Sequence, residues 1–423
     1  MGNLLTGSTI SLAAFNGVIK DLHQSVFSLN QKYPEDASPD GAYWEALKKH
    51  YLLEDDLIMM NCGTVGPMPK AIVQTVMKYT ELQATNPFQY YEYVPKILDD
   101  VRLKLASFIN AAPEEVVITA NSTEGLNIIA NGLDMEKGDE VIVSDMEHPS
   151  SINPWKLKAK RYGIKIREVP FGIPAKSVDE IVDSVAAAIS PRTKIICLGH
   201  TVYITGQISP LKELSRLARD RGILIGTDSA HGLGMLNLDM KKLDVDFLVS
   251  SPYKWMGAPA GTGVLYVRKE AQDRLWPTIV GFEWDVYKDA RKLKPQGQRS
   301  HALTLGLGEA VDFNLLVGKD RIERRVKALS SYLKQELKKI SAVKVHTPDD
   351  PYLSGGLTAF SLGGVSPDKY VDYVRSKYNI IVRTIGCEEQ GSYGIRVSTP
   401  IYISYKEIDM LVEAINHLLK HRS

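Results

Sequence analysis

Several short segments of this chain hold residue types that together suit one kind of chemistry. Asn121, Ser122, Thr123, Glu124 and Gly125 join a predicted strand to a predicted helix. Small hydroxyl residues at a helix start set side-chain donors beside free backbone N–H groups, which suits an anion such as a phosphate. Read alone, the turn is an ordinary N-cap. His148, in SDMEHPSS, follows another predicted strand. Its ring could stack on a flat ligand or simply bond locally. Asp228 sits near the end of ILIGTDSAH. A carboxylate at the end of a buried strand is costly without a cationic partner. A protonated ring nitrogen or a salt bridge would each serve. His231 lies just beyond it and reads, alone, as a polar neighbour. Lys254 follows Ser250 and Ser251 and precedes Trp255 and a Gly/Ala/Pro run. Burial lowers an amine's pKa and readies it to form a Schiff base with a carbonyl. The plainer alternative is a lysine that reaches solvent along its stem.

The order of these signals says more than any one of them. A hydroxyl-rich turn, a ring, an acid and then a lysine make one coherent set. A pyridoxal-phosphate site needs a Schiff-base lysine and an acid to partner the pyridinium nitrogen.

The elements that must position them follow from hydropathy. EVVITA (115–120), EVIVSD (140–145), KIREVPF (165–171), KIICLGH (194–200), ILIGTDSAH (223–231), VDFLVSS (245–251) and GTGVLYVR (261–268) read as seven strands. Helical segments separate most of them, which predicts an α/β fold with a mostly parallel seven-stranded sheet covered on both faces. Open parallel sheets bind ligands beyond the carboxyl ends of their strands, where the residues above fall. Upstream, the reading gives a helix within 40–60, a Gly/Pro-rich loop, a helix from near Lys70 and another over 94–111. Beyond about residue 300, one helical stretch covers SHALTLGLGEAVDFNLLV and continues through KDRIERRVKALSSYLKQELKKI. VKVHT, GLTAFSLG, IIVRT and GIRVST then read as strands of an α+β piece. The expected division is an N-terminal arm and helix packing with the small domain (1–60), a large cofactor-binding domain (61–299) and a small C-terminal α+β domain (300–423).

The 423 residues are 44% hydrophobic and 24% charged, with a formal net charge of +1. No long-range field is expected to recruit nucleic acid or an acidic membrane surface. Cys62, Cys197 and Cys387 are odd in number and far apart. They give neither a disulfide framework nor metal-ligand spacing, so no metal is expected. That usage agrees with a cytoplasmic protein. No apolar run has the length to span a bilayer. Residues 1–20 are small and apolar, with no basic residue before Lys20. They read as a loosely ordered arm; the alternative is the remnant of a trimmed export signal, which would place the protein in the periplasm.

Seven stretches carry a resemblance: NCGTVGPMP (61–69), ITANSTEGLNIIANGL (118–133), GDEVIVSDMEHPS (138–150), HTVYITGQISP (200–210), GTDSAHGLGM (226–235), SSPYKWMGAPAGTGVLYVRKE (250–270) and GIRVSTPIYISYKEID (394–409). In them the chain resembles the class V aminotransferase family of fold type I pyridoxal-phosphate enzymes, and most of all its isopenicillin N epimerase-like branch. The resemblance spans about residues 40–420. It implies that Lys254 is the Schiff-base lysine and Asp228 the partner of the pyridine nitrogen. It makes His148 the stacking ring and Ser122, Thr123 and Ser251 phosphate contacts. His231 and Tyr203 would approach the phenolic oxygen, and Tyr253 belongs to the cofactor shell. Arg396 would grip a substrate α-carboxylate, the bidentate task that suits guanidinium; its plainer reading is a surface ion pair.

A homodimer and a small amino-acid substrate are implied as well. The sequence departs from the family pattern at Tyr253, where histidine is usual, at Tyr402-Ile403 and at Gly297-Gln298. The implied reaction starts with removal of an α-proton by Lys254. Its outcome is epimerisation, transamination or loss of a β-substituent. Cys387, in IIVRTIGCEEQ, stands about where the related cysteine desulfurases carry a sulfur-accepting loop cysteine. Glu388 and Glu389 beside it disfavour a thiolate, and an incidental loop cysteine is the plainer reading. A C–S lyase or desulfurase is one alternative. A catalytically inactive binding protein on the same scaffold is another.

Overall fold

A computed structural model of the chain describes residues 24–34, 41–281, 284–294, 297–386 and 394–421. Its strands, in chain order, begin with β1 (Ile58–Met59), β2 (Val116–Thr119), β3 (Glu140–Ser144), β4 (Lys165–Val169), β5 (Thr193–Gly199), β6 (Leu224–Asp228), β7 (Phe247–Ser250) and β8 (Gly263–Val267). They continue with β9 (Val343–Val345), β10 (Leu357–Leu362), β11 (Ile380–Ile381), β12 (Arg383–Ile385) and β13 (Gly394–Ser398).

All seven expected strands, β2 to β8, form one sheet in the order β2-β8-β7-β6-β5-β3-β4. Strands β4, β3, β5, β6 and β7 pair in parallel, and β8 runs antiparallel to both β7 and β2. The apolar runs of β3, β7 and β8 are buried along their whole length. A sheet covered on both sides requires this. Successive residues of β3 show it directly. Val141 and Val143 pack into one apolar cluster with helices Ser122–Gly132 and Pro149–Tyr162. Ile142 packs into another, with helices Pro87–Phe108, Val178–Ala188 and His301–Val317. The edge strand β4 exposes Lys165, Arg167 and Glu168, charges that discourage pairing with another chain.

A second sheet, β12-β13-β10-β9, is antiparallel. Its apolar face shares a cluster with Tyr43, Trp44 and Leu47 of helix Ala42–Lys48 and with helices Lys319–Lys338 and Tyr405–Lys420. β1 pairs in parallel with β11, so the segment leading into the Gly/Pro-rich loop is tied to the C-terminal part.

Three local readings are corrected. The helix expected over 94–111 begins at Pro87, because Asn86 caps it by accepting from Gln89 N at 3.0 Å, and Pro95 is accommodated within it. Proline in the first helical turn lacks only an N–H that has no partner there. The continuous helical stretch after residue 300 is two helices broken at Gly318, whose φ of 95° ends the first. IIVRT is divided at Val382 into β11 and β12.

Candidate active site

Strands β2, β3, β5, β6 and β7 deliver their carboxyl ends to one cavity of about 220 Å³. Ser122, Thr123, His148, Tyr203, Asp228, His231, Tyr253, Lys254 and Arg396 all line it. Ser251 stands behind them and bonds to Ser122.

At one end, Asn121 caps helix Ser122–Gly132 by accepting from Glu124 N at 3.0 Å. The backbone N–H of Ser122 donates to Ser251 Oγ at 3.1 Å, and that hydroxyl donates to Ser122 Oγ at 3.0 Å. The end of β7 is thus fastened to the helix start, where the positive dipole end lies and where, among the described residues, the Thr123 N–H is left as the first-turn donor without a partner.

Asp228 closes β6. Its Oδ2 accepts from Ser151 Oγ at 2.6 Å and its Oδ1 from Ala230 N at 2.9 Å. Asp228 is only 9% exposed, yet it makes no ion pair among the described residues. Lys254 follows β7 in the turn that Tyr253 also occupies. Among the described residues its Nζ has neither hydrogen bond nor ion pair. Desolvation pulls its pKa down to about 8, against an opposing pull from Asp228. Gly66 packs on this turn: its N–H donates to Tyr253 O at 2.9 Å, and a Cβ there would lie 1.9 Å from Lys254 O.

Two histidines are fixed in one tautomer each. Trp255 Nε1 donates to His231 Nδ1 at 3.1 Å. Indole nitrogen only donates, so the proton of His231 sits on Nε2. Burial, reinforced by Lys254, keeps that ring neutral by holding its pKa well below the usual value. His148 caps helix Pro149–Tyr162; its Nδ1 accepts from Ser150 N at 3.1 Å. Its ring meets Tyr203 edge-on, centroids 4.8 Å apart, and burial lowers its pKa too.

Arg396, in β13, is 2% exposed. Nη1 donates to Tyr203 O at 2.8 Å and Nη2 reaches Thr64 Oγ1 at 3.4 Å, while Nε has no partner. The surface ion pair is therefore not what this residue makes. Desolvation and then the charge of Arg383 lower its pKa to about 10.

Eleven lining residues lie outside the sequence-based set, among them Thr64, Glu147, Thr201 and Arg383. Glu147 Oε1 accepts from Ser144 Oγ at 2.6 Å and Gly199 N at 3.0 Å. Burial, with Asp228 adding repulsion, raises its pKa to about 7. Thr201 Oγ1 is buried without a partner. An acid at the end of a buried strand was the clue used for Asp228, and it applies equally to Glu147. Cys387 lies outside the described residues, and Gly297 with Gln298 lines a separate cavity of about 680 Å³.

The donor set can be tested against pyridoxal phosphate. Among the described residues, a buried acid has no ion-pair cation, a buried amine has no acid bonded to it, Thr201 Oγ1 has no partner, and a helix start presents the Thr123 N–H beside two hydroxyls. A ligand with a protonated ring nitrogen, an aldehyde and a phosphate answers the acid, the amine and the helix start, so the residues fit. No group of three or more potential metal ligands occurs among the described residues.

The family model described as Aminotransferase class-V matches residues 62–411. The isopenicillin N epimerase of Streptomyces clavuligerus is 29% identical over 396 residues, covering 89% of this chain and 98% of its own. A probable cysteine desulfurase of Methanothermobacter thermautotrophicus is 27% identical over 401 residues, covering 88% and 98%. The apo cysteine desulfurase of Thermococcus onnurineus superposes with a TM-score of 0.80 at 24% identity, covering 89% of this chain and 98% of its own. A complex of the cystine C–S lyase C-DES with cysteine persulfide gives 0.78 at 24% identity, covering 85% and 97%. The family model spans well over half of the chain, and the chain belongs to the class V aminotransferase family of pyridoxal-phosphate enzymes.

Proposed function

We propose that the protein moves the α-proton of an amino acid, in the manner of an isopenicillin N epimerase-like enzyme. One observation carries the reading: among the described residues, Lys254 presents an amine with no hydrogen bond or ion pair, its pKa lowered to about 8, in the same cavity as an Asp228 that forms no ion pair. Pyridoxal phosphate, when bound, supplies the electron sink that makes an α-proton removable.

The chain's own groups have the following parts. Lys254 would hold the cofactor's aldehyde, and its Nζ would be the base for the α-proton on the face it reaches. Asp228, oriented by Ser151 and Ala230, keeps the pyridine nitrogen protonated. Ser122, Thr123 and Ser251 would hold the phosphate, and the ring of His148 would be the stacking partner of the cofactor. His231 Nε2–H and Tyr203 serve the phenolic oxygen, with Tyr253 beside them. Arg396 binds the α-carboxylate. We place the working assembly as a homodimer in the cytoplasm. The exposed Phe88, Tyr91, Trp276 and Val280 supply apolar surface for a subunit contact, and the free thiols of Cys62 and Cys197 suit a reducing compartment. Residues 61–299 and 300–423 are read as its two domains.

The test begins with the visible absorption spectrum before and after borohydride, for the native protein and Lys254→Ala. A band trapped by reduction and missing in the variant supports the reading. A colourless protein that gains no band with added pyridoxal phosphate ends it. Incubation of the holoenzyme with amino acids in D2O then separates the outcomes: α-deuteration with inversion supports epimerisation, a keto acid supports transamination, and released sulfide supports the desulfurase alternative.

A further inference from the structure

The substrate end of the cavity carries two arginines. Arg383 in β12 and Arg396 in β13 are Cα partners in antiparallel register. Partners directly opposite send their side chains to the same face. Both line the cavity. Both also reach one hydroxyl: Arg383 Nη1 donates to Thr64 Oγ1 at 3.1 Å and Arg396 Nη2 approaches it at 3.4 Å. Thr64 gives its own proton to Asn61 Oδ1 at 3.0 Å. The hydroxyl therefore turns only lone pairs toward the two guanidinium groups.

This arrangement is costly without a ligand. Like charges directly opposite across a strand pair repel. Among the described residues, no acid pairs with either arginine. Arg396 is buried and Arg383 is exposed, so the two cations mark a deep position and an outer one. One carboxylate pairs with one guanidinium through two parallel hydrogen bonds. An α-carboxylate on Arg396 thus leaves Arg383 uncompensated, still tethered by Thr64 to face the same space.

We propose that Arg383 forms a second anion subsite, so that the preferred amino acid bears an acidic group on its side chain. The α-carboxylate takes Arg396 and the side-chain acid takes Arg383. The inference rests on the proposed function for the α-carboxylate alone; the outer subsite is a property of the arginine pair.

The test uses amine-free probes, which occupy the subsites without any reaction. Glutarate and butyrate are titrated against the holoenzyme by thermal shift and by isothermal calorimetry, with native protein, Arg383→Gln and Arg383→Lys. A charge-assisted hydrogen bond predicts about tenfold tighter binding of glutarate than of butyrate. In Arg383→Gln the ratio falls towards one, and Arg383→Lys keeps part of it. If Arg383→Gln weakens both probes equally, the two arginines clamp a single carboxylate and the second subsite is wrong. Equal binding of both probes to the native protein overturns it as well. Glutamate and glutamine are compared in parallel through the visible band. A band that responds to no amino acid, beside an intact glutarate preference, would sink the proposed function while supporting the subsite.

Discussion

Trp255 Nε1 donates to His231 Nδ1 at 3.1 Å, and this one bond decides which face of the imidazole carries its proton. Replacing Trp255 with phenylalanine leaves a buried acceptor without a donor. The expected loss is about 1–3 kcal/mol of stability in urea unfolding. The visible band of the holoenzyme should shift as well, since His231 is then free to place its proton on either nitrogen. An unchanged spectrum would mean that His231 does not face the cofactor.

Gly66 sits where the chain passes the Lys254 turn. A Cβ there would lie 1.9 Å from Lys254 O, a backbone atom that cannot swing aside. Gly66→Ala should cost about 1–3 kcal/mol and displace the lysine. Cofactor retention after dialysis checks the second effect, and full retention would show that the turn tolerates the shift.

Lys254 gives the pH dependence a sign. Its folded pKa of about 8 lies below the ordinary lysine value of 10.5. At neutral pH the folded apo protein holds a protonated amine that burial disfavours, a cost of up to about 3 kcal/mol. Between about pH 8 and 10.5 the unfolded chain binds the extra proton, so this cost is lifted as pH rises through that window. Lys254→Met should therefore stabilise the apo protein at pH 7 and lose that advantage by pH 10.5, read from paired denaturation curves. The rate at which apo protein captures pyridoxal phosphate should rise through about pH 8 and level off, because only the neutral amine attacks.

Arg396 separates a structural role from a binding role. It forms no ion pair among the described residues, so its removal breaks none. Arg396→Gln should leave the apo melting temperature within a few degrees of native. It should weaken the binding of amino acids by roughly 10- to 100-fold. A large loss of apo stability with unchanged amino-acid binding would reverse the assignment.

The sheet was legible because its inner strands are continuous apolar runs, and a parallel sheet buried on both faces demands that pattern. Lys254, Asp228 and His148 were legible because each follows such a run. Arg383 was not: in IIVRT it reads as one residue of a strand, and its meaning depends on facing Arg396 across a register that sequence does not encode. Thr64 was hidden for a similar reason, since its partners Arg383 and Arg396 come from the far end of the chain. Asn86 and Pro87, by contrast, spell out a helix start that periodicity alone placed too late.

The pairing of Ile58 and Met59 with Ile380 and Ile381 has a consequence for the order in which the protein is made. During synthesis, the seven-stranded sheet with Ser122, Asp228 and Lys254 can emerge and pack before Arg383 and Arg396 exist. The wall that would recognise substrate must wait for the last strands, and for a loop closure spanning most of the chain. A ribosome-bound chain ending before β12 would then be able to take up cofactor while blind to amino acids, so that loading precedes selectivity in the life of each molecule.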